Sequence, residues 1–506
     1  MVGHWIAWIH VSACLLLALF GLQRFWILLQ FFRARGKGDG TRCATPSALK
    51  TDFPYVTVQL PIYNEKNVCR RLIDSVCALD YPRSKLEIQV LDDSTDETRA
   101  LVSAHCAALR EQGFDIVQLT RSQRIGYKAG ALAAGLHVAK GEFIAIFDAD
   151  FLPGPAFLRD TLPAFSAPDV GMVQTRWGHL NRGKNLLTRA QSLFLDAHFS
   201  IEHAVRHRMN HFFNFNGTAG VWRKSAIEAA GGWDAATLTE DLDLSFRAQL
   251  AGSRFIYLDH VEAGAELPED INAFKGQQHR WAKGSIQTAR RLLPGLWRAG
   301  LPWDVRLDAT FKLLQNLAFL WLALVLCTMP VVGVCVSGEP GDTLRVFEWS
   351  ALLLATIPVS LEFIVSQRVR QRAWWEAIVH LPLALGVGAA LSLHNTKAVL
   401  EGIFGWGSET FVRTPKSGAR TLSGYAVEIS GTTVWEIVLG FSQLLVGLWL
   451  VSEGQWSRTP FLFWFGLSLS AFGLGALWRK VQARRSEFFS TDASPKSPPN
   501  PVPAEK

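Results

Sequence analysis

The 506-residue chain contains no P-loop, no glycine-rich dinucleotide fingerprint and no zinc-finger or RNA-recognition signature. The first two absences argue against a kinase-type or dinucleotide-dependent enzyme, and the third argues against a nucleic-acid reader. Cysteine is sparse and unpatterned. The seven (Cys14, Cys43, Cys69, Cys77, Cys106, Cys327 and Cys335) show no CxxC pair and no ligand-like spacing. They are read as reduced thiols in helices and core, which suits a cytoplasmic soluble domain. Charge is also thin, at 19% of residues against 49% hydrophobic, a high apolar share for a soluble protein. The first apolar block, Ile6 to Phe32, lacks a basic n-region and a small-residue cleavage site. It therefore reads as a retained helix, with Arg33 and Arg35 directly after it, and not as a signal peptide.

What the chain does hold is apolar sequence gathered into blocks. Besides the first, these are Leu313 to Val336, Trp349 to Val365, Trp374 to Leu393, Val434 to Val451 and Phe461 to Trp478. The formal charge of +7 sits beside them, in Arg33-Ala34-Arg35, in Arg368 to Arg372 and in Arg479 to Arg485. Basic residues at block ends are the mark of positive-inside topology and anionic headgroups, not of a nucleic-acid partner. The Trp374 to Leu400 segment carries Glu376, His380, His394, Asn395 and Lys397, which makes it an interfacial amphipathic helix in this reading. Five spans are expected, one before the soluble domain and four after it, with six as the alternative. The tail from Thr491 is proline-rich and is expected to be disordered.

Between the blocks runs a strand-and-helix alternation. Strands are predicted at Tyr55 to Leu60 (stopping at Pro61), Leu86 to Leu91, Ile116 to Leu119 and Phe143 to Phe147. Helices are predicted at Val68 to Leu79, Glu97 to Gln112 and Lys128 to Val138. Such alternation implies a parallel sheet covered by helices, with ligands bound beyond the carboxyl ends of its strands. Three of those ends carry Asn64-Glu65, Asp92-Asp93 and Asp148-Ala149-Asp150. The last pair is spaced to ligate Mg²⁺ or Mn²⁺, ions usually held by one or two carboxylates plus substrate phosphates, although a lone DxD is also common turn chemistry. Gly126 to Gly130 either aims Lys128 and a helix N-terminus at a diphosphate or is simply a closely packed helix start. Phe215 to Gly220 is a glycine-containing turn. Thr239-Glu240-Asp241 opens a helix, with Thr239 as cap and acids in the first turn; alternatively Asp241 is a base for an incoming hydroxyl. Gln277-Gln278-His279-Arg280-Trp281 stands at one end of a predicted helix, before an amphipathic stretch from Ala282 to Leu293. Its guanidinium and indole suit an anionic, sugar-like ligand.

Taken together, Leu91-Asp92-Asp93-Ser94, Asp148-Ala149-Asp150, Thr239-Glu240-Asp241 and Gln277 to Trp281 resemble the D, D, D, QxxRW set of membrane-embedded processive glycosyltransferases of family 2, the cellulose, chitin, hyaluronan and mannan synthases. Pro61-Ile62-Tyr63-Asn64-Glu65 and Phe411 to Lys416 are similar to further elements of the cellulose synthase branch. The stretch from Phe215 to Arg223 looks closest to the cellulose synthase-like A group of β-mannan and glucomannan synthases and its bacterial relatives. The resemblance covers roughly Tyr55 to Lys416. It implies an α/β fold of GT-A type, a Rossmann-like mixed sheet in a cytoplasmic domain joined to an α-helical transmembrane domain. The division expected is a membrane helix in 1–35, the cytoplasmic catalytic domain with interfacial helices in 36–300, two membrane helices in 301–368, an interfacial helix and gating-type loop in 369–431, two membrane helices in 432–482 and a disordered cytoplasmic tail in 483–506.

The same resemblance implies roles. Tyr63, Glu65, Asp92 and Asp93 hold the nucleoside of a nucleotide sugar and Lys128 its diphosphate. Asp148 and Asp150 position Mg²⁺ or Mn²⁺. Asp241, beside Glu240, deprotonates the acceptor, and Gln277 and Arg280 bind the leaving diphosphate. Trp281, with Asn216, Gly217 and Thr218, meets the acceptor. Phe411, Thr414 and Lys416 form a loop over the donor, with Arg413 and Pro415 departing from the family's usual FxVTxK. The activity implied is inverting, metal-dependent transfer of a hexose from UDP-glucose or GDP-mannose to a β-linked polysaccharide with coupled translocation. A non-processive transfer to diacylglycerol or ceramide is the alternative. Implied partners are the donor, a glycan or lipid acceptor, membrane lipids, and accessory export subunits or a second copy of the chain, in an inner, plasma or Golgi-type membrane.

Overall fold

Alternating side chains along the strands dictate a sheet buried on both faces. The computed structural model describes residues 2–35, 53–335, 339–407 and 431–491. Eight strands form one sheet: β1 (Val56–Ile62), β2 (Leu86–Asp92), β3 (Asp115–Leu119), β4 (Phe143–Ile146), β5 (Leu152–Pro153), β6 (Val170–His179), β7 (Gly220–Arg223) and β8 (Arg254–Ala265), in the order β3-β2-β1-β4-β7-β6-β8-β5. On β4 the two-residue period sends Phe143 and Ala145 into one apolar cluster with Val58 and Leu60. It sends Ile144 and Ile146 into the opposite cluster with Met172 and Trp222. On the second face β1 carries Thr57 and Gln59, fully buried. Their donors are satisfied laterally, Thr57 Oγ1 donating to Glu87 at 2.6 Å and Gln59 Nε2 to Gln89 at 3.0 Å.

The first four strands pair in parallel, as the alternation predicts. The sheet as a whole is mixed, because β7 runs antiparallel to both β4 and β6 and β5 runs antiparallel to β8. One boundary differs from expectation: β1 continues through Pro61 to Ile62. Its pairing with β4 ends at Gln59, so Pro61 lies where only β2 remains alongside and its missing N–H costs no ladder bond on the β4 side. The helix Cys69–Cys77 buries Cys69, Leu72, Ile73 and Val76, the i, i+3, i+4, i+7 stripe of an amphipathic helix.

Among the described residues, five helices are long and apolar enough to cross a membrane: Trp5–Ala34, Leu317–Cys335, Arg345–Val369, Thr433–Ser452 and Thr459–Gln482. A sixth candidate is the pair Trp374–Ala390 and Ser392–Phe404, bent by 43°. Trp5, Trp435, Trp456 and Trp478 are largely exposed near the ends of these helices, where an amphipathic indole suits a headgroup layer. The basic residues at the helix ends face the sheet domain: Arg370 and Arg372 lie 3.4 and 2.6 Å from Asp196. A buried ion network also ties the two halves together. Arg206 bridges Glu202 at 3.0 Å and Asp308 at 2.9 Å, and Arg24 of the first apolar helix bonds to Glu202.

Candidate active site

The carboxyl ends of β1, β2 and β4 open into a cleft enclosing about 1340 Å³ of unfilled space, including its mouth. Tyr63 and Glu65 follow β1, Asp93 follows β2, and Asp148 and Asp150 follow β4; all five line the cleft. Across from them stand Asn216, Gly217, Glu240, Asp241, Gln277, Arg280 and Trp281. The strands thus bring one acidic row to a common edge, and two helices supply the facing wall.

Lys128 is the pivot of the floor. Its Nζ lies 2.6 Å from Asp148 and 4.0 Å from Glu240, and it donates to the Gly217 carbonyl at 2.8 Å. Burial pulls its pKa down, but Asp148 and Glu240 more than offset that, so the ammonium is held charged. Gly217 has φ +81°, and a Cβ there would stand 3.0 Å from Asp241 Oδ2 and 3.3 Å from Lys128 Nζ. A side chain at this position would intrude between the base candidate and the lysine.

Asp241 opens the helix Glu240–Leu250. One of its carboxylate oxygens accepts from the Leu242 N–H at 2.8 Å. Burial and the neighbouring Glu240 push its carboxyl up to about 7, the range in which a carboxylate serves as a general base. Burial raises Glu240 as well. Thr239 occupies the cap position but makes no capping bond. Its hydroxyl instead faces Thr288 at 3.4 Å, and a Cβ on Gly284 would meet that Oγ1 at 2.6 Å. The Asp241 helix and the helix Ile271–Arg298 therefore touch through a glycine, and Glu240 at the start of the first helix acts electrostatically on Arg280 of the second.

Helix Ile271–Arg298 is continuous, so the Gln277 to Trp281 motif lies in its interior and not at its end. The start is fixed upstream, where Asp270 caps the N–H groups of Asn272 and Ala273. Burial lowers the Arg280 guanidinium to about 10, partly offset by Glu240, and it stays cationic at neutral pH. On the far side of the helix His279 and Lys283 reach Glu401 at 3.0 and 3.3 Å. That links the motif to the bent apolar pair.

Asp148 and Asp150 fit a hard divalent ion completed by phosphate oxygens. Both carboxylates face the cleft, one is already paired with a cation in Lys128, and among the described residues no cluster of three His, Cys, Asp or Glu forms a closed protein cage.

The sequence profile described as "Glycosyltransferase like family 2" matches residues 54–284, from β1 through the Gln277 to Trp281 helix. Glucomannan 4-beta-mannosyltransferase 1 of Oryza sativa subsp. japonica is 34% identical over 443 residues, covering 84% of this chain and 82% of the relative. The chain belongs to glycosyltransferase family 2. Glucomannan 4-beta-mannosyltransferase 2 of Arabidopsis thaliana is 36% identical over 73% of this chain and 68% of its own length. A Pyrobaculum calidifontis mannosyltransferase, solved with GDP-Man and Mn²⁺, shares the fold: TM-score 0.55 at 20% identity, covering 78% of this chain and 99% of that one. The sheet domain of this glycosyltransferase is thus of GT-A type.

Within the family 2 domain, most of the expected site residues meet in the cleft. Asp92 and Thr218 stand behind it. Asp92 is fully buried, accepting from the Ser94 N–H at 2.9 Å and Gln118 at 2.7 Å. Thr218 Oγ1 accepts the Asp148 N–H at 2.9 Å and so sets the acidic turn. Phe411, Thr414 and Lys416 lie outside the described residues, as does the tail beyond residue 491. Arg121 and Arg124 went unnoticed in the sequence. Arg121 clamps Asp93 at 3.0 and 2.5 Å, and the Arg124 guanidinium lies 3.5 Å from the Tyr63 ring centroid and 4.9 Å from that of Tyr127. The signal was a basic pair next to the Gly126 turn, which only the return of that loop to β2 makes meaningful.

Proposed function

We propose that this glycosyltransferase transfers mannose, from GDP-mannose, to a growing β-linked glucomannan-type polysaccharide, and passes the product between its membrane helices. The observation that carries the reading is the convergence, in one cleft, of the acidic strand ends, Lys128, Asp241 and the Arg280-Trp281 helix turn. The mannose assignment is supported by the names of the plant relatives.

Glu65, Asp93 and Tyr63 take the nucleoside, and Lys128 takes the diphosphate. When bound at Asp148 and Asp150, Mg²⁺ or Mn²⁺ supplies charge neutralisation on the donor diphosphate. Asp241 accepts the proton of the acceptor hydroxyl as that oxygen attacks the anomeric carbon. Arg280 and Gln277 hold the departing nucleoside diphosphate, whose charge grows as the bond breaks. Trp281 offers its face to the acceptor sugar, with Asn216 and Gly217 opposite. A single base on one side of the sugar and a leaving group on the other gives inversion and a β-linkage.

The apolar helices are placed across the membrane with the catalytic domain on the cytoplasmic side. The basic residues Arg370, Arg372 and Arg479 at their domain-facing ends support this sidedness. The donor assignment is tested by release of nucleoside diphosphate from the purified protein offered GDP-mannose, UDP-glucose or ADP-glucose with Mn²⁺ or Mg²⁺. GDP release well above the other two is expected. Equal or faster UDP release would move the donor to a glucosyl nucleotide.

A further inference from the structure

A second polar niche, which shares no lining residue with the cleft, lies between the sheet domain and the bent apolar pair. It encloses about 570 Å³ and is lined by Arg182, Gly183, Arg189, Leu193, Glu376 and His380. Arg182 and Glu376 neutralise each other, paired at 3.1 Å, and Arg182 is further tied to Ser192 and Gln367, each at 3.2 Å. His380 Nδ1 lies 2.7 Å from the Glu376 carbonyl, which can only accept, so Nδ1 carries the proton and Nε2 is an acceptor. Nε2 takes a hydrogen bond from Arg189 Nη1 at 3.4 Å, the one hydrogen bond the Arg189 side chain makes among the described residues. Two arginines stand against one glutamate in the niche, and with Arg182 paired to Glu376 the guanidinium left without a carboxylate there is that of Arg189, the exposed member.

The surroundings say what kind of anion this charge meets. Trp375, Ile378 and Val379, on the same helix as His380, are 57%, 45% and 64% exposed, and Leu186, one turn before Arg189, is 63% exposed. A guanidinium without a carboxylate partner among the described residues, bordered by bare apolar side chains and flanked by the domain-facing ends of membrane-length helices, matches a ligand with one negative charge and a hydrocarbon body. We propose that this niche binds the phosphodiester headgroup of an anionic phospholipid. Arg189 forks onto the phosphate oxygens, and the acyl chains run along Ile378 and Val379. The placement rests on the membrane reading above but not on the identity of the sugar donor. Bound there, one lipid bridges helix Leu186–Ala197 of the catalytic domain and helix Trp374–Ala390.

The test uses the full-length protein in nanodiscs of phosphatidylcholine with and without phosphatidylglycerol, with retained lipid counted by native mass spectrometry. The wild type is expected to retain phosphatidylglycerol over phosphatidylcholine, and Arg189→Glu to lose that preference by on the order of tenfold. Arg189→Gln, which removes the charge without reversing it, should give a smaller loss. Nucleoside diphosphate release in detergent should be unchanged in both variants, which reports that they fold. Retention that survives excess inorganic phosphate supports a lipid occupant, whereas displacement by phosphate assigns the niche to the free ion and overturns the lipid assignment. Equal phosphatidylglycerol retention by wild type and both variants would overturn the site itself.

Discussion

Replacing Asp241 with asparagine separates the role of this side chain in chemistry from its role in the fold. The substitution keeps shape and removes the charge. Because burial and Glu240 raise the carboxyl to about 7, the folded protein binds a proton there at pH values where the unfolded chain has already lost it. The sign follows: between the unfolded value near 3.8 and about 7, this group makes the folded state less stable as pH rises. At about 1.36 kcal/mol per pH unit, that penalty reaches at most about 4 kcal/mol above pH 7. Asp241→Asn removes it, so the variant should melt higher than wild type in alkaline buffer and similarly in acid. Transfer should move the opposite way. Loss of a general base lowers kcat by roughly 10² to 10⁴-fold, while GDP binding, measured by calorimetry, stays within about twofold. In the wild type, kcat/KM should rise with pH through a midpoint near 7, and that limb should vanish from the residual activity of the variant. Near-normal transfer by Asp241→Asn, or an unchanged rising limb, would remove Asp241 as the base.

Gly217→Ala would place a methyl 3.0 Å from Asp241 Oδ2 in a left-handed backbone conformation, a strain of about 1–3 kcal/mol. A kcat loss of at least about tenfold in a folded protein is expected, and unchanged kcat would contradict the crowding. Arg280→Lys keeps the charge but loses the planar fork, so it should lower kcat more than it raises KM for the donor; an effect on KM alone would place Arg280 in ground-state binding. Chelation of divalent ions should abolish transfer reversibly, and Asp150→Ala should need a higher Mn²⁺ concentration for half-activity. Activity that survives exhaustive chelation would contradict the metal role of Asp148 and Asp150.

Local chemistry was legible in the sequence where one strand end carried its own signal. The Asp148-Ala149-Asp150 turn and the Asn64-Glu65 end needed only the strand alternation to be set at one edge. Asp92 and Asp93 were not separable, because the pleat alone decides that one faces inward to Gln118 and the other faces the cleft. Thr239 looked like a cap by composition, yet packing against Gly284 claims its hydroxyl side. The Gln277 to Trp281 stretch reads as a helix end in the sequence, with the amphipathic pattern taken up from Ala282. Burial of its flanking Phe274 and Ala282 carries the helix straight through. Least legible were partners distant in the chain: Arg121 on Asp93, and Arg24, Arg206 and Asp308 meeting between the two halves. No local pattern announces a buried ion network whose members lie on separate helices.

The most direct test of the account is the product made by the purified protein from radiolabelled GDP-mannose with Mn²⁺, separated by size and treated with a β-mannanase. Label is expected in a long chain that the β-mannanase degrades. Label confined to a lipid carrying one sugar, or a chain resistant to β-specific enzymes, would contradict it.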